Sequence, residues 1–155
     1  AAMDEGKEVT WIPSYGPEMR GGTANCTVVI SDEEIGSPMV SNPQAAIVMN
    51  LPSLDKYEPL IKPGGLLVIN ESMVDRGAKR KDIRVVTIKA NEIAEKLGDQ
   101  RMANMVLLGA LVSNLKVLPL EAIEKALAGH LPERHRRLLP MNYQALREGA
   151  KAVAS

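Results

Sequence analysis

Two short uncharged runs bracket the middle of this chain: residues 45–49 (Ala-Ala-Ile-Val-Met) and residues 66–70 (Leu-Leu-Val-Ile-Asn). Apolar runs of this length, without polar alternation, read as strands buried on both faces. Between them Leu54, Tyr57, Leu60 and Ile61 recur at helical spacing. Pro52 suits a first helical turn, and Pro63-Gly64-Gly65 ends the helix. Strand, helix, strand implies a crossover, so these strands lie parallel under a covering helix. Residues 85–88 (Val-Val-Thr-Ile) supply another strand, and residues 8–12 and 23–31 two earlier ones, with a short strand at Met39-Val40. The order predicts an α/β fold with a mostly parallel sheet flanked by helices.

From Asn91 the pattern turns helical. Residues 91–97 read as a short helix stopped by Gly98. Residues 102–115 are apolar nearly all round, which predicts burial in the domain or in a subunit interface. Pro119 opens a further helix with Leu120, Ile123, Leu127 and Leu131 on one stripe, and Asn142 is read as the cap of a last helix carrying Tyr143, Leu146 and Val153. The fold therefore ends in a helical part. At 155 residues, 45% of them apolar, the chain is read as one domain over 1–155 with a sizeable core.

Composition removes several functions. Basic and acidic residues balance at 19 each, so no net field favours nucleic acid or an anionic membrane. Aromatics are 3% of the chain, which leaves no stacking platform for single-stranded nucleic acid. One cysteine excludes an internal disulfide and a self-held iron–sulfur cluster, which takes about four thiolates. No metal-ligand spacing, membrane span or signal peptide is legible, and the compartment is read as cytoplasmic.

The most unusual segment is residues 13–26, Pro-Ser-Tyr-Gly-Pro-Glu-Met-Arg-Gly-Gly-Thr-Ala-Asn-Cys. Pro and Gly set an uncommon backbone path, and Tyr, Glu and Arg on such a path are contact residues. This string resembles the gamma subunit of the 2-oxoacid:ferredoxin oxidoreductases. The likeness continues through Thr27-Val28-Val29-Ile30-Ser31, Ser41-Asn42-Pro43-Gln44, residues 45–50, Lys62-Pro63-Gly64-Gly65 and Ile69-Asn70.

The resemblance implies a Rossmann-like fold and membership of a multi-subunit enzyme. That enzyme converts a 2-oxoacid, 2-oxoglutarate or a branched-chain one, to acyl-coenzyme A. It implies thiamine diphosphate, magnesium and iron–sulfur clusters on partner subunits, with coenzyme A as co-substrate and no cofactor held by this chain alone. The implied partners are alpha, beta and delta subunits and ferredoxin, and isolation would leave a homo-oligomer. In the family the loop lies near the cleft where the thiamine and coenzyme A sites meet. Tyr15, Gly16, Glu18, Arg20, Gly21 and Gly22 are therefore candidate cofactor-binding residues; Asn50 joins them because it follows a buried strand, where open α/β sheets bind ligands, and none is read as catalytic. The guanidinium fork of Arg20 suits a phosphate or carboxylate, and Gly21-Gly22 lets backbone N–H groups approach an anion. Residues 1–6 read as the end of a helix stopped by Gly6, so a first strand and a glycine-rich loop are expected upstream.

Plainer roles stand beside these. Asn50 precedes Leu51-Pro52 and reads equally as a helix N-cap. Asn70 and Glu71 end a strand at the sheet edge where ligands bind. Cys26 is read as a small buried residue, residues 75–82 as a solvated loop, and residues 130–137 as a solvated basic turn or an interface with an acidic partner. No nucleophile–base pair stands out. Two other functional readings remain open, an NAD(P)-binding domain of a dehydrogenase and a non-catalytic assembly module.

Overall fold

The structure, a computed structural model, describes residues 1–15 and 24–153. It resolves into two compact units, Ala1–Ser41 and Asn42–Ser155.

The first unit opens with a helical turn. Lys7 N–H donates to Ala2 O at 3.0 Å and Gly6 N–H to Met3 O at 2.9 Å, with Gly6 at φ 78°. That left-handed residue closes a helix end as expected. Strands β1 (Glu8–Tyr15) and β2 (Ala24–Ser31) follow. They pair with each other, antiparallel, from Glu8 opposite Ser31 to Tyr15 opposite Ala24. This corrects the expectation that they join the parallel sheet. Two adjacent strands can pair directly across a short connection, whereas parallel pairing needs a longer crossover. Alternation puts Val9, Trp11, Cys26, Val28 and Ile30 on one face of the ribbon. Trp11 is 61% and Val28 53% exposed, and Cys26 is exposed, not buried as read from its alternation. Residues 39–40 form no strand.

The second unit is built on a parallel sheet in the order β3 (Ala45–Val48), β4 (Leu66–Asn70), β5 (Arg84–Ile88). All five residues of the central β4 are buried. Its two faces serve two cores. Leu67 and Ile69 pack with Val48, Leu54 and Ile61 on the side of α1 (Leu51–Tyr57). Leu66 and Val68 pack against α2 (Ala90–Lys96), α3 (Ala103–Leu115) and α5 (Leu139–Lys151). Helix α4 (Leu120–His130) adds Leu120, Ile123 and Leu127 to this second core, as its stripe predicts.

Helix α3 is apolar all round because it is surrounded within the unit. Met105, Val106, Leu107 and Ala110 are buried. It approaches α5 so closely that a Cβ on Gly109 would stand 2.0 Å from Leu146 O, and one on Gly149 would stand 1.9 Å from Val106 O. Asn142 does not cap α5. It sits inside the first turn, buried, with Nδ2 donating to Leu138 O at 2.7 Å. Pro140 at the helix start already removes one donor that a cap would serve.

The loop read as solvated is anchored instead. Glu58, 3% exposed at the end of α1, receives the backbone N–H groups of Lys79 and of Arg80, the latter at 2.8 Å. Arg76 Nη1 reaches the same carboxylate at 3.4 Å and pairs also with Asp55. Arg80 donates to Glu58 O at 3.1 Å and grips Asp82 through Nε at 2.9 Å and Nη2 at 2.5 Å. The Arg80 guanidinium holds the Asp82 carboxyl below its usual range. A buried carboxylate is retained when donors satisfy it, and here a whole loop is wrapped around one.

Candidate functional site

The candidate residues divide between the two units. Tyr15 is the last residue of β1, paired with Ala24, so the segment between them begins and ends on adjacent strand termini. Gly16, Glu18, Arg20, Gly21 and Gly22 lie outside the described residues. Asn50 lies in the second unit, just past the carboxyl end of β3.

Asn50 is a helix cap. Its backbone is extended at φ −153° and ψ 166°, and Ser53 N–H donates to its Oδ1 at 2.9 Å. This satisfies one donor of the first turn, helped by Pro52 in that turn. The side chain is exposed, and no bond occupies its Nδ2 among the described residues. Replacing Asn50 with alanine is expected to cost about 1 kcal/mol of stability, and aspartate to restore most of it. Equal urea midpoints for wild type and Asn50→Ala would contradict the cap.

Parallel α/β sheets bind ligands outside the carboxyl ends of their strands. Here those ends of β4 and β5 border a cavity of about 450 Å³, lined by Glu71, Ser72, Asp75, Arg76, Lys89 and Glu92 among others. Its charge is unsuited to a phosphate. Arg76 is already engaged by Asp55 and Glu58, and Lys89 stands 3.9 Å from Glu92. Glu71 and Asp75 add negative charge, so an anion would meet more repulsion than attraction. Glu71 therefore lines a cavity as its place at the strand end predicts. Asn70 points to the other face, 1% exposed, with Nδ2 donating to Asn91 Oδ1 at 2.9 Å and Oδ1 buried without a partner. Its role is to tie β4 to α2.

Sequence reading missed Glu58, Ser72 and Lys89. Glu58 carries no local sign of burial, because its partners lie 18 to 22 residues away. Among the described residues no group of His, Cys, Asp and Glu is placed to hold a metal ion. No helix among them is long and apolar enough to cross a membrane.

The family described as pyruvate ferredoxin/flavodoxin oxidoreductase matches residues 1–152. The ketoisovalerate oxidoreductase subunit VorA of Methanothermobacter thermautotrophicus is 36% identical over 97% of this chain, which spans 31% of that protein. The chain thus covers about a third of that longer relative. The 2-oxoglutarate synthase subunit KorC of Methanothermobacter marburgensis is 34% identical over 96% of this chain and 83% of its own length. The crystal structure of a keto/oxoacid ferredoxin oxidoreductase gamma subunit from Geobacter sulfurreducens superposes with a TM-score of 0.80 at 29% identity. That match covers 99% of this chain and 85% of the other. With a family match across nearly its whole length, this chain belongs to the pyruvate ferredoxin/flavodoxin oxidoreductase family.

Proposed function

We propose that this chain works as a gamma-type module of a cytoplasmic 2-oxoacid:ferredoxin oxidoreductase. The observation that carries this is the similarity in sequence to the subunit KorC over 96% of the chain and in fold to a gamma subunit over 99% of it. In the proposed reaction the bond between the carboxyl and carbonyl carbons of a 2-oxoacid breaks and carbon dioxide leaves. The acyl carbon forms a thioester with the sulfur of coenzyme A as the S–H bond breaks and its proton is released to solvent, and the electron pair left by decarboxylation passes to ferredoxin. KorC and VorA relatives support 2-oxoglutarate or a branched-chain 2-oxoacid as substrate.

The donor set of this chain does not fit the redox group. One cysteine cannot supply the four or so thiolates of an iron–sulfur cluster. Thiamine diphosphate, magnesium and the clusters belong, in this reading, to alpha and beta partners. This chain's share is to position the acyl acceptor. Arg20, with Gly16, Gly21 and Gly22, is the proposed anchor for an anionic group of coenzyme A, and Tyr15, Glu18 and Asn50 are proposed as further cofactor contacts.

The test is anaerobic purification of the tagged full-length protein from its native cells, assayed for dye reduction that requires both a 2-oxoacid and coenzyme A. Co-purifying subunits with this activity are expected, and a panel of 2-oxoacids names the substrate. A lone homo-oligomer without activity would refute the reading. In the assembled enzyme, Arg20→Ala is expected to raise KM for coenzyme A about tenfold or more, from loss of a charge-assisted contact. An unchanged KM would leave this chain an assembly module.

A further inference from the structure

The described arginines are not used alike. Arg76, Arg80, Arg101 and Arg147 each pair with a carboxylate. Between α4 and α5 runs a 3-10 turn, Glu133–Leu138, with the sequence Glu-Arg-His-Arg-Arg-Leu. Its Arg134, Arg136 and Arg137 are exposed and have no carboxylate partner among the described residues. One turn of a chain with balanced charge thus carries three unpaired guanidinium groups against one glutamate.

The turn is held in shape. Pro132 precedes it and Pro140 follows it two residues beyond. His135 N–H donates to Pro132 O at 2.8 Å, and Leu139 N–H donates to Arg136 O. The buried Asn142 amide fixes Leu138 O at 2.7 Å. Arg134 Nε donates to His135 Nε2 at 3.1 Å, which orients that guanidinium. Residues three apart eclipse in a 3-10 turn, so Arg134 and Arg137 present their forks on one side. The planar arginine fork is suited to interface ion pairs, because it is pre-organised and less freedom is lost per bond formed.

We propose that this turn is a docking surface for an acidic face on another subunit of the same oxidoreductase. This rests on the functional reading above. A small anionic ligand is disfavoured because the three arginines stand exposed, whereas small-ligand sites enclose most of the ligand. A nucleic acid is disfavoured because the chain's formal net charge is +0 and the turn supplies only three of its 19 basic residues.

The test expresses the full chain apart from the remaining subunits and measures its binding to them at roughly 50 and 300 mM salt. Wild type is expected to weaken about tenfold across that range. The triple variant Arg134→Glu, Arg136→Glu, Arg137→Glu is expected to bind about tenfold or more weakly at low salt, with the salt dependence lost. Its melting temperature should match wild type, since the three side chains are exposed. Binding and salt slope like wild type in the triple variant overturn the proposal while the assembly itself stands. Failure of wild type to bind the subunits overturns the functional reading and this proposal together. Tighter wild-type binding to duplex DNA or to vesicles of anionic lipid than to the subunits also overturns it.

Discussion

Gly149→Ala is expected to destabilise the protein by about 3 kcal/mol or more, although alanine is the better helix former. In an open helix interior this exchange gains roughly 0.5–1 kcal/mol. Here the added Cβ would stand 1.9 Å from the Val106 carbonyl oxygen, and the obstacle is backbone, not a movable side chain. Relief requires α3 and α5 to part by more than an ångström. That opens the core in which Val106, Leu107, Ala145 and Leu146 are buried. Gly109→Ala, 2.0 Å from Leu146 O, is expected to act alike. The two glycines lie on opposite helices of one crossing, so the double variant should cost less than the sum. Gly129→Ala is the control: nothing lies within 4 Å of its Cβ, and a slight gain is expected. Thermal and urea unfolding of the four variants decide the matter. A Gly149→Ala protein that melts with wild type would mean the helices do not cross at this distance.

Glu58→Ala is expected to cost about 3–5 kcal/mol, the range for breaking a buried charged cluster on one side. The loss is not one bond. The N–H groups of Lys79 and Arg80 lose their acceptor, and Arg76 keeps only Asp55 and the Gly77 carbonyl. Glu58→Gln should fall between, since an amide oxygen still accepts while its NH₂ faces the Arg76 guanidinium. Arg80→Lys tests the other half of the clamp, because an ammonium cannot reproduce the forked grip on Asp82 and the carbonyl of Glu58. Residues 75–77 also line the cavity beyond β4, so hydrogen exchange in that loop should rise with each variant. Wild-type stability and loop protection in Glu58→Ala would show the carboxylate to be incidental.

What the sequence determined by itself was whatever is encoded locally. Period and punctuation located β3, α1 and β4: an unbroken apolar run marks each strand and Pro52 the helix start, but α1 ends at Tyr57 and a 3-10 turn follows, well before Gly64-Gly65, and β3 is only half-buried where β4 is buried throughout. They located the apolar stripe of α4 and the cap at Asn50 for the same reason, since each depends on neighbours within one or two turns. The fold class was legible in this way, and the family through the resemblance carried by residues 13–26 and the segments after them. The Arg20 segment was marked by its residue types and by that resemblance.

Partner choice at long range was decided only by the tertiary structure. Alternation in β1 and β2 shows two strands but not whether they pair with each other or with the parallel sheet, and antiparallel pairing left Cys26 and Trp11 exposed. The loop around Arg76 and Arg80 reads as solvated because its charges are visible, while the buried Glu58 that gathers them lies about 20 residues earlier. Gly109 and Gly149 look like weak points in two helices until the helices are brought together. Then the absent Cβ is what allows the contact. Local patterns are set by backbone stereochemistry within a few residues, whereas burial and charge pairing belong to surfaces that exist only once the chain has folded.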